Sequence, residues 1–192
     1  MPRRRGVLLV TAILIVTLTQ AVGAQEGVFL SEEDAPRAVF PEADRVERRD
    51  VAVDDALREQ LRAKLAATPP SIWESHYTTF TAWKGSTQLG RAFLVEEIGK
   101  HRPITFVVGV RPDGRVQDVA VVAYREAYGG EIRNQRFLVQ YKDKSGGDSL
   151  EPYQAITNIA GATLSVEAAS RAVKKALALA AATAADSGVE HP

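Results

Sequence analysis

A change in hydrophobic periodicity near residue 75 constrains the fold more than any other feature of the chain. From Ser75 to Ala127, Val, Ile, Thr and aromatic residues alternate with polar ones in four segments that turn signals separate. A period of two is typical of strands with one buried face. The segment RPDG at 111–114 marks one hairpin, because Pro fits the first central turn position and Asp-Gly closes a tight turn. The sequence therefore predicts an antiparallel meander.

Helical patterns flank these strands. Ser31 and the acids after it predict a short helix near 31–39, and an apolar stripe predicts a second helix over 54–67. Residues 134–141 are consistent with one or two helical turns. The alanine-rich stretch that starts near Thr163 predicts a long last helix that packs one face on the sheet and stops near 187–188. The expected fold class is α+β, an antiparallel sheet with helices packed on it.

The first residues have the pattern of a signal peptide. Three arginines precede an uncharged run over 6–24, and Val22 and Ala24 occupy the small-residue positions of a cleavage site before Gln25. The run is also nearly the ~20 residues of a membrane helix, so an uncleaved anchor remains the alternative. Either way, the folded part is expected on the extracytoplasmic side of the membrane. The rest divides into an N-terminal helical and extended segment packed on the domain (25–74), the domain (75–186) and a frayed tail (187–192).

Charge and composition exclude several function classes. Lys and Arg number 24 and Asp and Glu 24, and residues 1–24 hold three arginines and no acid, so the remainder has 21 basic and 24 acidic residues, a net charge of −3. No basic run is interleaved with aromatics, so a nucleic-acid partner is not expected. The chain has no cysteine, which leaves redox chemistry to a bound organic cofactor or a metal. His76, His101 and His191 are isolated, and no metal site is predicted.

Other conspicuous residues have simple structural interpretations. The acidic pair at 96–97 and the lysine pair at 174–175 are expected on solvated faces. Trp73 and Trp83 are expected in the core. Neither a G-x-S-x-G nucleophile elbow nor a phosphate-binding G-x-x-x-x-G-K-[ST] loop is present, so no hydrolase or nucleotidase is predicted.

The stretch IAGATLS at 159–165 is different. Gly161 and its alanine neighbours let the backbone turn without crowding just before the last helix, whose free N–H groups and positive dipole end favour an anion near Thr163. The residues alone also allow a plainer interpretation, in which Thr163 and Ser165 serve only as N-caps.

The order of elements and this motif resemble the FMN-binding domain family, which includes the C subunit of the sodium-pumping NADH:quinone reductase and the G subunit of the Rnf complex. The similarity rests on the segment GATLS at 161–165 and on YREAYGGEIRNQRFLVQYKDK at 124–144. In the second stretch an acid ends a strand, a glycine turn follows, and an F-x-x-Q-[FY]-x-x-K pattern comes next. The resemblance covers 75–182.

The resemblance implies that Thr163 carries FMN through a phosphoester, transferred from FAD by a magnesium-dependent flavin transferase. Residues that it places close to the attachment point are Gly161, Ala162, Leu164, Ser165 and Asn158. Residues that it places near the flavin ring are Glu126, Tyr128 and Gly129, with Gln140 and Lys142 as further candidates. The chain has Thr157 and Ala160 where the family pattern often has an acid and a Ser or Thr; Asn158 is expected to take the place of the acid.

By resemblance, the function is that of an exported flavoprotein electron carrier that passes electrons between membrane or extracytoplasmic redox partners. Two alternatives remain. One is a module that binds or senses FMN without a covalent bond or has lost it, and the other is a flavoprotein that acts on its own small substrate. The sequence predicts no catalytic residue, because no acid–base pair can be named near the motif.

Overall fold

The structure is a computed structural model that describes residues 27–184. Its centre is a six-stranded antiparallel sheet with the strand order β1-β6-β5-β4-β3-β2. The strands are β1 (Gly27–Val28), β2 (Arg45–Ala52), β3 (His76–Lys84), β4 (Thr87–Ile98), β5 (Pro103–Val110) and β6 (Val116–Tyr124). The helices are α1 (Ala35–Val39), α2 (Asp55–Lys64), α3 (Gln135–Leu138) and α4 (Thr163–Ala182), with 3-10 turns at Gly130–Arg133 and Val139–Tyr141. The predicted α+β class is confirmed.

Strands β3 to β6 form the predicted meander, each paired with the next one along the chain. The turn at 111–114 joins β5 to β6, and Gly114 has a φ of 79°, the left-handed conformation that favours glycine there. The two outer strands, β1 and β2, extend the sheet beyond the meander and were not predicted. Strand β2 has mostly exposed side chains and pairs only with β3, so it lacks the alternating burial that marks a strand in sequence.

Both faces of the sheet are covered. On one face, α4 and α2 pack on side chains of β4, β5 and β6, including Phe93, Phe106 and Val119, all fully buried. On the other face, α1 and Phe40 cover a smaller cluster that includes Phe80. The alternation of the strands places successive residues on opposite faces, and each face has its own apolar core.

The predicted helices differ from the observed ones mainly at their ends. Asp54 caps α2 as expected, since its side chain accepts a hydrogen bond of 2.7 Å from the N–H of Leu57. Ser31 accepts a similar bond from Asp34 N–H, but the regular helix begins only at Ala35. Helix α4 ends at Ala182, earlier than expected; positions 187–188 lie outside the described residues. Arg91 caps the C-terminal end of this helix, since its guanidinium donates to the carbonyl oxygens of residues 180 and 183.

The two charged pairs are not simply solvated faces, and that prediction is wrong for one member of each pair. Glu97 and Lys175 are fully buried, with the Lys175 Nζ 2.8 Å from the Glu97 carboxylate and 3.0 Å from that of Glu74. Ser71 and Arg171 complete the set by donating to the second Glu97 oxygen at 2.5 and 3.1 Å. The cluster ties α4 to β4 and to the loop before β3, and pairing is what permits charges to be buried.

The prediction that both tryptophans lie in the core is also wrong. Trp73 is 42% exposed, and Trp83 lies at the surface, where Arg45 stacks on its ring and Glu47 accepts from its Nε1. The predicted signal peptide or anchor at 1–24 lies outside the described residues. Between residues 27 and 184, no helix combines the length and the apolar character needed to span a membrane.

Candidate functional site

The start of α4 is an uncapped helix N-terminus. Ala162 is the N-cap residue, and no side chain makes a capping hydrogen bond there. The first backbone bond of the helix runs from Val166 N–H to Ala162 C=O at 3.0 Å. The interpretation of Thr163 and Ser165 as N-caps is therefore wrong. The N–H groups of the first turn are left for another acceptor, and the dipole favours an anion.

Gly161 makes the turn into the helix. Its φ of 82° is the left-handed conformation that L side chains rarely adopt. A Cβ at this position would meet no atom within 4 Å, so the turn is open rather than crowded. Ala160, just before it, is exposed. The small residues thus give a group outside the protein free access to Thr163.

The Thr163 hydroxyl lies in a closed set of three hydrogen-bonding side chains. Asn158 donates from Nδ2 to Thr163 Oγ1 at 2.9 Å and to the Tyr153 hydroxyl at 2.5 Å. The Tyr153 hydroxyl lies 3.2 Å from Thr163 Oγ1. Thr163 is half-buried, and the ring of Tyr153 is largely exposed. The one hydroxyl at the open helix end is therefore held in place by neighbours.

Asn158 has spare hydrogen-bonding capacity. Its Oδ1 is buried and has no hydrogen-bond partner among the described residues. A buried carbonyl oxygen without a donor is costly, and such cases call for an explanation. The amide can present either its oxygen or its nitrogen to Thr163, since the two ends differ only by a half-turn of the side chain.

The loop at 125–129, which follows β6 and is called the glycine loop below, is held against the helix by Ser165 in the first turn of α4. The Ser165 hydroxyl lies 3.1 Å from that of Tyr124, which also donates to the backbone oxygen of Tyr128. Burial raises the pKa of Tyr124, the hydrogen bond with Ser165 opposes this, and the phenol stays protonated. Gly129 fits below this contact with a φ of 84°, where a Cβ would lie 2.9 Å from the Tyr124 hydroxyl oxygen. The loop and the helix start therefore form one unit.

Glu126 lies next to this loop, but its carboxylate is engaged elsewhere. It is 5% exposed and accepts from the backbone N–H groups of His101 and Arg102, the latter at 2.8 Å. Burial by itself would raise the pKa of Glu126, but hydrogen bonds from the N–H groups of residues 100–102 outweigh it and hold the pKa below its usual range. The charged carboxylate therefore anchors the β4–β5 turn beside the glycine loop.

The other candidate residues take different positions. Tyr128 is 79% exposed and Leu164 is 43% exposed, so both present apolar surface at this end of the domain. Gln140 accepts from the N–H of Thr157 at 2.8 Å and so supports the 157–163 loop rather than presenting a free amide. The side chain of Lys142 is exposed.

Tyr153 was not among the site residues predicted from the sequence. Its φ of 66° is unusual for an aromatic residue, and the turn is closed by a 2.9 Å hydrogen bond from Tyr153 N–H to Ile156 C=O. No pattern in the sequence marks this residue, which lies ten positions before Thr163. Only the fold of the intervening loop brings the two hydroxyls together.

Fold and site together define an α+β domain with an open helix N-terminus that presents one oriented hydroxyl. Residues 99–178 match the family model of the FMN-binding domain, and this match supports assigning that part of the chain to the FMN-binding domain family. The matched range includes the glycine loop, the 153–161 loop and most of α4. No curated protein matches the chain.

The residues present fit the phosphate end of FMN on structural grounds. No side chain caps the first turn of α4 in the described part of the chain, Gly161 leaves the approach open, and the Asn158 Nδ2 donor lies 2.9 Å from the Thr163 hydroxyl oxygen. Donors at a helix N-terminus are a common solution for binding phosphate. The exposed faces of Tyr128 and Leu164 provide apolar surface of the kind a flavin ring covers.

Proposed function

We propose that this protein is an exported flavoprotein electron carrier with FMN attached to Thr163 through a phosphoester. The observation that carries the proposal is that Thr163 Oγ1 is the hydroxyl held at the open N-terminus of α4, within the part of the chain that matches the FMN-binding domain. Ser165 has the other hydroxyl of the segment GATLS, but this residue is only 5% exposed and is hydrogen-bonded to the Tyr124 hydroxyl.

The attachment reaction needs a flavin transferase and FAD. Thr163 Oγ1 forms a bond to the phosphorus of the FMN half of FAD, while the bond from that phosphorus to the oxygen bridging the two phosphates breaks. AMP leaves with that oxygen, and the hydroxyl proton passes to a base that the transferase supplies. The N–H groups of the first turn of α4, which no side chain caps in the described residues, would then be available to donate to the phosphate oxygens.

When bound, the flavin supplies one- and two-electron redox chemistry; the chain fixes its position and surroundings. The loop that contains Tyr128 and Gly129 is clamped to α4 by the Tyr124–Ser165 contact, so a ring beside it would rest on a rigid support. A ring that covers the exposed Tyr128 and Leu164 would itself lie at the surface of the domain, where its edge can be reached by a redox partner. The arrangement suits electron transfer through an accessible ring edge better than catalysis in a closed pocket.

A second candidate is a module that binds or senses FMN without the ester. The observation that favours it is the departure from the family pattern at Thr157 and Ala160, both of which are exposed. In that case the helix N-terminus would hold the phosphate by hydrogen bonds alone, and denaturation would release the flavin.

The test is the intact mass of the protein exported from a host that has a flavin transferase. We expect a chain that starts at Gln25 and carries one FMN less one water. Thr163→Ala should have the bare mass and remain folded, whereas Thr157→Ala, an identical change six residues away in an exposed side chain, should keep the flavin. Thr163→Ser keeps a hydroxyl and should be modified more slowly.

Three results would contradict the proposal. A bare mass for the natural sequence, in a host that flavinylates another family member, would reject covalent attachment. Colour that survives denaturation in Thr163→Ala would place the bond elsewhere. A chain that retains Met1 in the membrane fraction would replace the cleaved signal with an anchor.

A further inference from the structure

Tyr153 is held in a conformation that core packing does not explain. Its ring is 73% exposed, and its backbone has a φ of 66°, a region that costs a non-glycine residue on the order of 1–3 kcal/mol. The isolated bridge between Pro152 and Ile156 closes the turn around it. The main contacts of the side chain that the structure records are the hydrogen bonds of its hydroxyl with Asn158 and Thr163.

The side chains of Asn158, Tyr153 and Thr163 are joined by three hydrogen bonds. Asn158 Nδ2 has two hydrogens, one directed to the Tyr153 hydroxyl and one to Thr163 Oγ1. The remaining 3.2 Å contact joins two hydroxyls, so either Tyr153 or Thr163 can be its donor. Once Thr163 Oγ1 is part of a phosphoester, it has no hydrogen, and the contact survives only with Tyr153 as the donor.

Asn158 also has an acceptor to offer Thr163, its unpaired Oδ1. If the amide turns by half a rotation, Oδ1 takes the place of Nδ2 and accepts the Thr163 hydroxyl hydrogen. In that orientation, an oxygen lone pair of Thr163 points away from Asn158 and is available to attack the phosphorus of the FMN half of FAD. The original orientation instead donates to the ester oxygen and to Tyr153. An amide can serve both states, whereas a carboxylate could only accept and would repel the phosphate.

We propose that Tyr153 is a positioning residue for flavin attachment, acting with Asn158 on the Thr163 hydroxyl. Before transfer, the two side chains fix Thr163 Oγ1 at the open end of α4. After transfer, the Tyr153 hydroxyl donates to the phosphoester. The left-handed turn at Tyr153 is the backbone conformation that brings its hydroxyl to this place. This inference rests on the proposed attachment at Thr163.

The test uses the exported apoprotein, made without transferase, and measures FMN incorporation by purified transferase with FAD and magnesium. Tyr153→Phe removes one exposed hydroxyl, and Asn158→Ala removes the amide. Their controls are Gln154→Ala and Thr157→Ala, exposed neighbours whose side chains make no recorded hydrogen bond in the described residues. Circular dichroism at 222 nm verifies that each variant is folded.

We expect Tyr153→Phe and Asn158→Ala each to lower the kcat of incorporation about ten- to a hundredfold, the effect of losing one hydrogen bond to a charged group in the transition state. The KM for the apoprotein should stay within about twofold, because docking to the transferase is unchanged. The ³¹P resonance of the finished ester should shift in Tyr153→Phe and not in the two controls.

Three outcomes overturn the inference. If Tyr153→Phe matches the natural sequence in kcat and in ³¹P shift while that sequence is flavinylated, attachment at Thr163 stands and the role of Tyr153 is wrong. If the natural sequence takes up no FMN at all, the proposed function fails, and this inference fails with it. If Gln154→Ala lowers the kcat of incorporation as much as Tyr153→Phe does, the effect comes from disturbing the turn and not from losing the Tyr153 hydroxyl, which also contradicts the proposal.

Discussion

Gly129 and Gly161 form a matched pair for testing how the glycine loop supports the helix start. Their φ angles are 84° and 82°, so alanine carries the same backbone cost at both, about 1–2 kcal/mol. Their surroundings differ. A Cβ at Gly129 would lie 2.9 Å from the Tyr124 hydroxyl and 3.0 Å from Ser165 Oγ, whereas a Cβ at Gly161 meets nothing within 4 Å.

Gly129→Ala must therefore also displace the Tyr124–Ser165 contact, a buried hydrogen bond worth about 0.5–1.5 kcal/mol. We expect Gly129→Ala to lower the free energy of unfolding by about 1.5–3.5 kcal/mol and Gly161→Ala by about 1–2 kcal/mol. Urea denaturation of the unmodified protein, followed by far-ultraviolet circular dichroism, measures both.

The difference between the two variants isolates the contact from the backbone strain. As the control, Gly129→Ala is made in the Tyr124→Phe protein. The hydrogen bond that alanine disrupts is already absent there, so Gly129→Ala should lower the free energy of unfolding by less than it does in the natural sequence. Equal destabilisation by Gly129→Ala and Gly161→Ala would refute the argument that the loop is clamped to α4 by Tyr124 and Ser165.

Two further predictions concern buried charge. Lys175→Met should lower the free energy of unfolding by about 3–5 kcal/mol, because it leaves the Glu97 carboxylate buried without its lysine, while Lys174→Met should cost within about 1 kcal/mol in the same urea assay. A small effect of Lys175→Met would show that the cluster is hydrated. Glu126→Gln should destabilise the protein by about 1–2 kcal/mol at pH 7. The folded-state pKa of Glu126 is lowered, so its contribution is complete above pH 4.5 and is lost as the pH falls through the folded pKa; unfolding curves of the two proteins should converge at low pH.

The strands and the last helix could be predicted from sequence because their signals are local. Strands β3 to β6 alternate apolar and polar residues over eight or more positions, and tight turns such as 111–114 separate them. Helix α4 has an apolar stripe over twenty residues. For the same reason, the segment GATLS was assigned to the start of a helix, where the structure has it.

The features that were missed depend on distant partners. Strand β2 reads as a charged segment because it is an edge strand that exposes both faces, and its pairing with β3 supplies the order that its sequence does not encode. Glu97 and Lys175 look like solvated charges until the fold places them 2.8 Å apart. Tyr153 becomes relevant only when a left-handed turn directs its hydroxyl to Thr163. Local periodicity contains none of this information.

Helix α4 also bears on which changes in length the domain can absorb over evolution. Thr163 is its first residue, and Lys175, twelve positions later, is fixed by the carboxylates of Glu97 and Glu74. Since each residue turns an α-helix by about 100°, one deletion between them would rotate the Thr163 hydroxyl to another side of the helix, while the residues after the deletion stayed in register. Insertions within 145–149, a surface loop, impose no such rotation. If Thr163 carries FMN as proposed, homologous domains should therefore vary in the length of that loop and keep the spacing from this threonine to the buried lysine constant.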